Sequence, residues 1–500
     1  MEKFFKFVER VGNKLPHPLF LFVHLCGFIL VASFIASRLK WSAIDPRTDE
    51  AVYVVSMLSA EGFRNFMENM ITNFTHFAPL GLVVVMLMGV AITEKGGYLE
   101  ALIRRVIGRV PQWLVIPVII VAAACGNIGS DAGIVVVPPI AAVIFKRMGK
   151  HPLAGLVLGY AAATAGFTAN LIPAGTDVLL AAITTEAYEA VVPGTEVVAT
   201  CNWYFMIGAT VVLAGVGTFV AIRYTIPMCA RYAIVDEEET ARTTLTPKEK
   251  KALLWANIAG LIYLALVSLT IIPSNGVLRH PDPELFMRSP FFKSLVPILF
   301  FLFVIVGYVY GKIVGTIKSS SDVARFMIDG VRDLAPYIAM IFAVAQFVAF
   351  FQWSQLDQII SIKGAEFLQA TGFSGIPLFV TFIVVTLFLN LFVGSGSAKW
   401  VVMAPIFVPM FFHIGLNPAF TQLLYRIGDS VTNGISPLYA MFPLILGWIQ
   451  RYDKDAGIGT VSSLLMPYAI FAFVAWTLLL ILWYVAGLPI GVGESIHLPT

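Results

Sequence analysis

Charge is scarce in this sequence. Of 500 residues, 33 are Lys or Arg and 30 are Asp or Glu, 13% together, against about 25% in a soluble chain. Set beside 58% hydrophobic residues and a mean hydropathy of +0.84, that shortage excludes a soluble globular protein. A net charge of +3 is too small for a nucleic-acid partner, because the basic residues are scattered into short segments. Cysteine is equally sparse: Cys26, Cys125, Cys201 and Cys229 show no paired spacing, so neither a disulfide framework nor a zinc site is indicated. H-E-x-x-H, G-x-S-x-G and G-x-x-x-x-G-K-[ST] are also missing. No metalloprotease, hydrolase or nucleotide chemistry is called for, and no cofactor. Gly394-Ser-Gly-Ser397 resembles a nucleophile turn only superficially, with no His placed to activate it.

What the chain does have is apolar runs near twenty residues, the length a bilayer span requires. Nine read as full spans, roughly 17–37, 79–95, 152–188, 204–225, 252–271, 293–316, 333–352, 418–449 and 461–486. Two further apolar segments, 112–147 and 375–413, do not fit a simple crossing. The first is interrupted by Cys125-Gly-Asn-Ile-Gly-Ser-Asp-Ala-Gly133, the second by Val393-Gly-Ser-Gly-Ser-Ala-Lys399. The arm before the first interruption would make about 20 Å of helix, against a hydrocarbon core of about 30 Å. Both segments read as re-entrant hairpins with polar tips. With the N-terminus inside, 23 of the 33 Lys and Arg fall on the cytoplasmic side, as the positive-inside rule asks. A full crossing at 112–124 would put Lys146, Arg147 and Lys150 outside. The first hairpin is therefore expected to enter from the cytoplasm and the second from the opposite face.

The hairpins also resemble each other. Gly129-Ser130, Ile134-Val-Val136 and Pro138 match Gly396-Ser397, Val401-Val-Met403 and Pro405 at constant offset. Gly149-Lys-His-Pro152 then opens the next helix, as Gly415-Leu-Asn-Pro418 does later. Each of those helices breaks, the first over Thr164 to Pro173 and the second over Gly428 to Pro437. The pattern predicts an all-α polytopic membrane protein built as an inverted-topology repeat. Its first repeat would span residues 1–225. A cytoplasmic linker, linking span and external loop would follow over 226–292, a second repeat over 293–486 and an external tail over 487–500. Paired interruptions of this kind point to a transporter site, since a broken helix exposes backbone groups that hydrocarbon cannot satisfy. Met1 to Leu15 reads as a cytoplasmic tail. Two amphipathic stretches, Phe63 to Phe74 and Ser320 to Leu334, read as helices lying on the membrane surface.

Ionisable residues at membrane depth are few: Asp131, Asp177, Lys399, Arg426 and Asp429. Each is costly there and so a functional candidate. Arg426 and Asp429, three residues apart on one helix face, could equally pair with each other for structure alone. Asp177 could lie near the outer interface. Asn127, Ser130, Asn170, Asn390, Ser397, Ser430 and Asn433 supply neutral oxygens of the kind a sodium ion prefers, although helix–helix hydrogen bonding explains any one of them. Trp400 could stack on an aromatic substrate or serve as packing. His24 and His413 lack partner spacing and read as packing.

At these motifs the chain resembles the AbgT family, the p-aminobenzoyl-glutamate transporters. The resemblance rests on Leu391 to Trp400 with Ala404-Pro405, and on Tyr425 to Pro437. It implies a homodimer in a bacterial inner membrane, N-terminus cytoplasmic and C-terminus periplasmic. Each protomer would carry p-aminobenzoyl-glutamate or, in exporting members, sulfonamide antimetabolites. The family's essential Asp, Trp, Pro and Arg fall on Asp177, Trp400, Pro418 and Arg426, and its sodium-site Asn and Asp on Asn390 and Asp429. Sodium or a proton would be the coupling ion. A sodium-coupled dicarboxylate symporter shares the two-hairpin plan, but its Ser-Asn-Thr tip is absent from both tips here. A channel would arrange such loops around an oligomer axis rather than opposing them in one chain.

Overall fold

The computed structural model describes residues 18–45, 49–107, 111–126, 132–233, 244–282 and 289–498. Helix dominates because a backbone in hydrocarbon must satisfy its hydrogen bonds internally, and the apolar runs carry almost nothing that competes for them. The expected uninterrupted spans form as Pro18–Arg38, Ala78–Lys95, Trp203–Val220, Pro247–Ser268, Leu295–Val314, Ala335–Trp353 and Ile458–Val485. The two expected interrupted spans form as Pro152–Thr164 with Gly175–Glu189, and Pro418–Thr432 with Phe442–Gln450.

Among the described residues seven helices are long and apolar enough to cross a membrane, or eight if one bent pair counts as a span. One of the seven is the first arm of the second hairpin. Gly375–Phe392 has 18 residues, about 27 Å of helix. The corresponding arm of the first hairpin, Val115–Cys125, has 11, about 16 Å. The hairpins are thus less alike in length than their tips suggest. The bent pair was not foreseen: Ile338–Trp353 turns by 67° into Leu356–Thr371.

The repeat is sharpest where each hairpin hands over to its broken span. The returning arms are Ala132–Arg147 and Gly396–Phe412. Each ends at a left-handed glycine, Gly149 (φ +68°) and Gly415 (φ +87°), a conformation glycine adopts without a Cβ penalty. Lys150 N–H bonds back to Phe145 O at 2.8 Å, and Leu416 N–H to Phe411 O at 3.0 Å. The side chains of His151 and Asn417 then accept from Leu153 N–H and Ala419 N–H, with Pro152 and Pro418 at the first helical position. The same stop–turn–cap–start device is built twice, 266 residues apart in the numbering.

Around this frame, Ala60–Thr75 and Ser320–Asp333 form the two amphipathic helices. The first exposes Phe63, Met67 and Ile71 and sets Phe66 and Phe74 against Phe350 and Phe342. The second packs Phe326 on Ile92 and Ile317. The described part of the central linker ends in a capping box, Thr246 with Glu249, and Glu249 also pairs with Arg104 at 3.0 Å. Among the described residues one sheet departs from the all-helical pattern, a two-stranded antiparallel ribbon of Ser42–Ile44 and Ala51–Tyr53.

Candidate functional site

The two helix breaks face each other. Thr168, in the first, donates its hydroxyl to Arg426 O at 2.7 Å and shares a 2.5 Å hydrogen bond with Ser430 Oγ. Asn433, in the second, donates to Thr164 O at 3.3 Å. The returning arm of the second hairpin packs between Gly175–Glu189 and Pro418–Thr432. Its tip is pressed so close that a Cβ on Gly396 would stand 3.2 Å from both Asp429 Oδ2 and Phe167 Cζ.

Two ion pairs fill this junction, and neither is the one the sequence suggested. Arg426 and Asp429 do not pair with each other. Arg426 Nη2 instead bonds Asp177 Oδ1, and both residues are 1% exposed. Asp177 is therefore buried inside the protein. Its other oxygen accepts Ala174 N–H at 2.6 Å, capping the second half of the broken span. Arg426 also donates from Nε to Phe167 O at 2.8 Å and lies over the Phe167 ring at 5.3 Å. Its Nη1 is buried without a hydrogen-bond partner.

Asp429 turns toward the hairpin tip. Lys399 Nζ sits 2.5 Å from Asp429 Oδ1 and bonds Asn390 Oδ1. Asn390 in turn donates to Asp429 O at 2.5 Å, Thr432 Oγ1 at 2.9 Å and Asn433 Oδ1 at 2.8 Å. Asn433 reaches Asp429 Oδ2 at 3.3 Å, and the Tyr425 hydroxyl reaches Asp429 Oδ1 at 3.2 Å. A buried ammonium is thus held by a carboxylate and an amide oxygen, a donor set suited to a hard cation. Breaking either pair from one side would strand a buried charge, at a cost of about 3–5 kcal/mol.

Aromatic surface adjoins both pairs. Trp400 stacks on Tyr425 with centroids 4.5 Å apart and planes 28° from parallel. The indole N–H donates to Thr184 Oγ1 at 2.9 Å, and Thr184 to Gln422 Oε1 at 2.6 Å. Gln422 donates to Asn202 Oδ1 at 2.9 Å, and Asn202 to Ala419 O at 2.8 Å. This buried chain ties the second hairpin to both broken spans.

The structure therefore gathers Asp177, Asn390, Lys399, Trp400, Arg426, Asp429, Ser430 and Asn433. Ser397 lies half-buried at the tip, 3.3 Å from Ser395 Oγ. Asn170 is buried and, among the described residues, bonds within its own turn, accepting from Ile172 N–H at 3.4 Å. Pro418 stands at the opposite end of its helix, eight residues and about 12 Å from Arg426. Its geometric role is to start the helix. Asn127, Ser130 and Asp131 lie outside the described residues. Sequence reasoning missed Phe167, Thr168, Thr184, Gln422 and the singular position of Tyr425. Thr168 and Phe167 sit inside the first break and Tyr425 inside a quoted motif, so proximity to the interruptions was the available signal. Thr184 and Gln422 carried none.

Interrupted helices that bring buried charge and aromatic surface together inside apolar spans define a multi-pass membrane protein of the transporter class. A family model described as the AbgT putative transporter family matches residues 3–498, and the chain belongs to that family. It is 40% identical over 491 residues to the p-aminobenzoyl-glutamate transport protein of Escherichia coli strain K12, covering 98% of this chain and 96% of that one. The fold is similar to the crystal structure of the Alcanivorax borkumensis YdaH transporter, described as having an unusual topology. The TM-score there is 0.90, with 35% identity over 95% of this chain and all of that one. It is similar also to Neisseria gonorrhoeae MtrF, described as illuminating a class of antimetabolite efflux pumps. In that comparison the TM-score is 0.91, with 40% identity over 98% of this chain and all of that one. These relatives are transport proteins, not enzymes.

Proposed function

We propose that this chain is an ion-coupled secondary transporter, working by alternating access in a bacterial inner membrane. Its cargo would be p-aminobenzoyl-glutamate-like folate catabolites, sulfonamide antimetabolites, or both. The observation that carries the reading is Arg426. A fully buried guanidinium keeps one nitrogen without a partner, beside the Phe167 ring and one residue from the stacked Trp400–Tyr425 pair. An unused planar donor next to aromatic faces is what an aromatic carboxylate calls for. Asp177 neutralises Arg426 while no cargo is present, Asn170 and Ser397 shape the first break and the tip around it, and Pro418 starts the helix that carries it.

Coupling belongs to the second pair. Asp429 and Asn390 hold a cation in this conformation, the Lys399 ammonium, which supports their holding a sodium ion or proton in the cycle. Asn433 lends its oxygen from the second break, and the polar sequence of the first interruption adds Asn127 and Ser130 as candidates for the same role. A buried carboxylate must be neutralised to tolerate low dielectric, and neutralisation on each cycle is what coupling to a gradient requires. The inverted repeat supplies the two-sided access. We infer a homodimer as well: in Leu19–Arg38 and Pro247–Ser268 only 17% and 22% of the apolar window is buried within the chain, leaving broad faces for lipid or a second copy.

Purified protein in proteoliposomes tests this. Counterflow of labelled p-aminobenzoyl-glutamate and of a sulfonamide should be seen, and imposed proton and sodium gradients should identify the coupling ion. Flux without counterflow would indicate a channel, and preference for aliphatic dicarboxylates would overturn the cargo assignment.

A further inference from the structure

A second buried carboxylate site lies well away from these ion pairs. It forms where the returning arm of the second hairpin ends, against the Leu356–Thr371 helix and the ribbon of Ser42–Ile44 and Ala51–Tyr53. Asp357, Gln358 and Ser361 come from the helix, Asp45 follows the first strand, and Pro409 and His413 come from the hairpin. Together they line a small, partly open cavity with room for about one water-sized occupant. Asp357 is 3% exposed and Asp45 5%. Asp357 Oδ1 is buried without a hydrogen-bond partner, a costly state for a carboxylate unless something in the cavity answers it. Ser361, fully buried, sends its hydroxyl to Asp357 O at 2.6 Å and leaves its lone pairs free. The joint is otherwise well tied: Val55 N–H bonds Ser354 O at 3.0 Å, and Asp45 N–H bonds Glu50 O at 2.9 Å.

Among the described residues no three His, Cys, Asp or Glu side chains gather as a metal cluster. That speaks against a transition metal and leaves a hard cation, which takes carboxylate, hydroxyl and amide oxygens. We propose that this cavity binds one small, dehydrated hard cation of the size shared by calcium and sodium, held by Asp357 and Asp45. Magnesium, which keeps several waters, has no room to do so here. The bound ion would pin the base of the second hairpin to the bent helix and the ribbon, independently of the cargo site.

Thermal unfolding of the purified full chain at pH 8, followed by tryptophan fluorescence, tests the assignment. Calcium, sodium and magnesium chlorides are titrated separately at constant ionic strength set with choline chloride. Calcium or sodium should raise the midpoint saturably, and magnesium should not. The rise should survive in Asp429→Asn, which alters only the central pair, and vanish in Asp357→Asn. If Asp357→Asn does not fold, Asp45→Asn carries the same comparison. No rise in the unaltered protein, a rise with all three salts alike, or an equal rise in the Asp357 or Asp45 variant overturns the proposal. A rise lost only in Asp429→Asn reports the central cation site and overturns it equally.

Discussion

The two buried cations at the centre differ in how their donors are answered, and the proposed division of labour rests on that difference. Lys399 is a point charge answered by a carboxylate and an amide oxygen. Arg426 is a planar fork with one prong unused. Lysine cannot reproduce that fork, so Arg426→Lys should keep a positive charge near Asp177 yet lose the contacts to Phe167 and to cargo. Uptake of p-aminobenzoyl-glutamate should fall at least about tenfold, the loss expected for one charge-assisted hydrogen bond, with expression unchanged. Full uptake in that variant would remove the directional role. Trp400→Phe should keep part of the stack on Tyr425 but leave Thr184 without its indole donor. Counterflow should then weaken more for aromatic cargo than the variant's thermal midpoint falls. These residues stood out in the sequence because charge and Trp are conspicuous at apolar depth. Their pairing did not, because Asp177 and Arg426 are 249 positions apart and nothing local links them.

At the scale of elements, the chain end behaves as a strap. Asn417 N–H bonds Ile496 O, Leu498 N–H bonds Gly415 O, and Phe205 N–H bonds Ile490 O, at 3.0, 3.1 and 3.1 Å. Asn417 also donates to Glu494 Oε2 at 2.8 Å. Burial pushes the Glu494 carboxyl up to about 7. A carboxyl raised by folding is held best in its neutral form. Its contribution is therefore complete below the ordinary Glu range and lost as pH climbs through about 7. Opening of the strap should rise with pH, by up to about tenfold per unit between the two values. Hydrogen exchange over residues 488–498 at pH 6 and pH 8 reads this directly, and Glu494→Gln should flatten the dependence. The helices themselves were legible, since apolar runs and caps such as Thr246 with Glu249 mark them locally. The 67° bend before Leu356 was not: the left-handed Gln355 that starts the next helix (φ +60°) is no glycine and gives no warning. The ribbon at Ser42–Ile44 is too short to show alternation.

For the whole molecule, the repeat makes a claim about sides. If the hairpins enter from opposite faces, single cysteines near Lys146 should label from the cytoplasm and those near His413 from outside. Labelling of both bases from one face would contradict the inverted arrangement. The duplicated turn at Gly149 and Gly415 was readable, because glycine followed by a cap and a proline survives as sequence. The unequal first arms did not announce themselves, since both are simply apolar.

The central claim is that Arg426 with Asp177 serves the cargo while Asp429, beside Lys399 and Asn390, serves the coupling ion. Asp429→Asn in proteoliposomes tests it most directly, with gradient-driven accumulation and gradient-free exchange of the same labelled substrate measured side by side. The division of labour predicts that accumulation is lost while exchange survives at a substantial fraction of the unaltered rate. Persistence of accumulation in folded Asp429→Asn protein would contradict it and move the coupling role to Asp177.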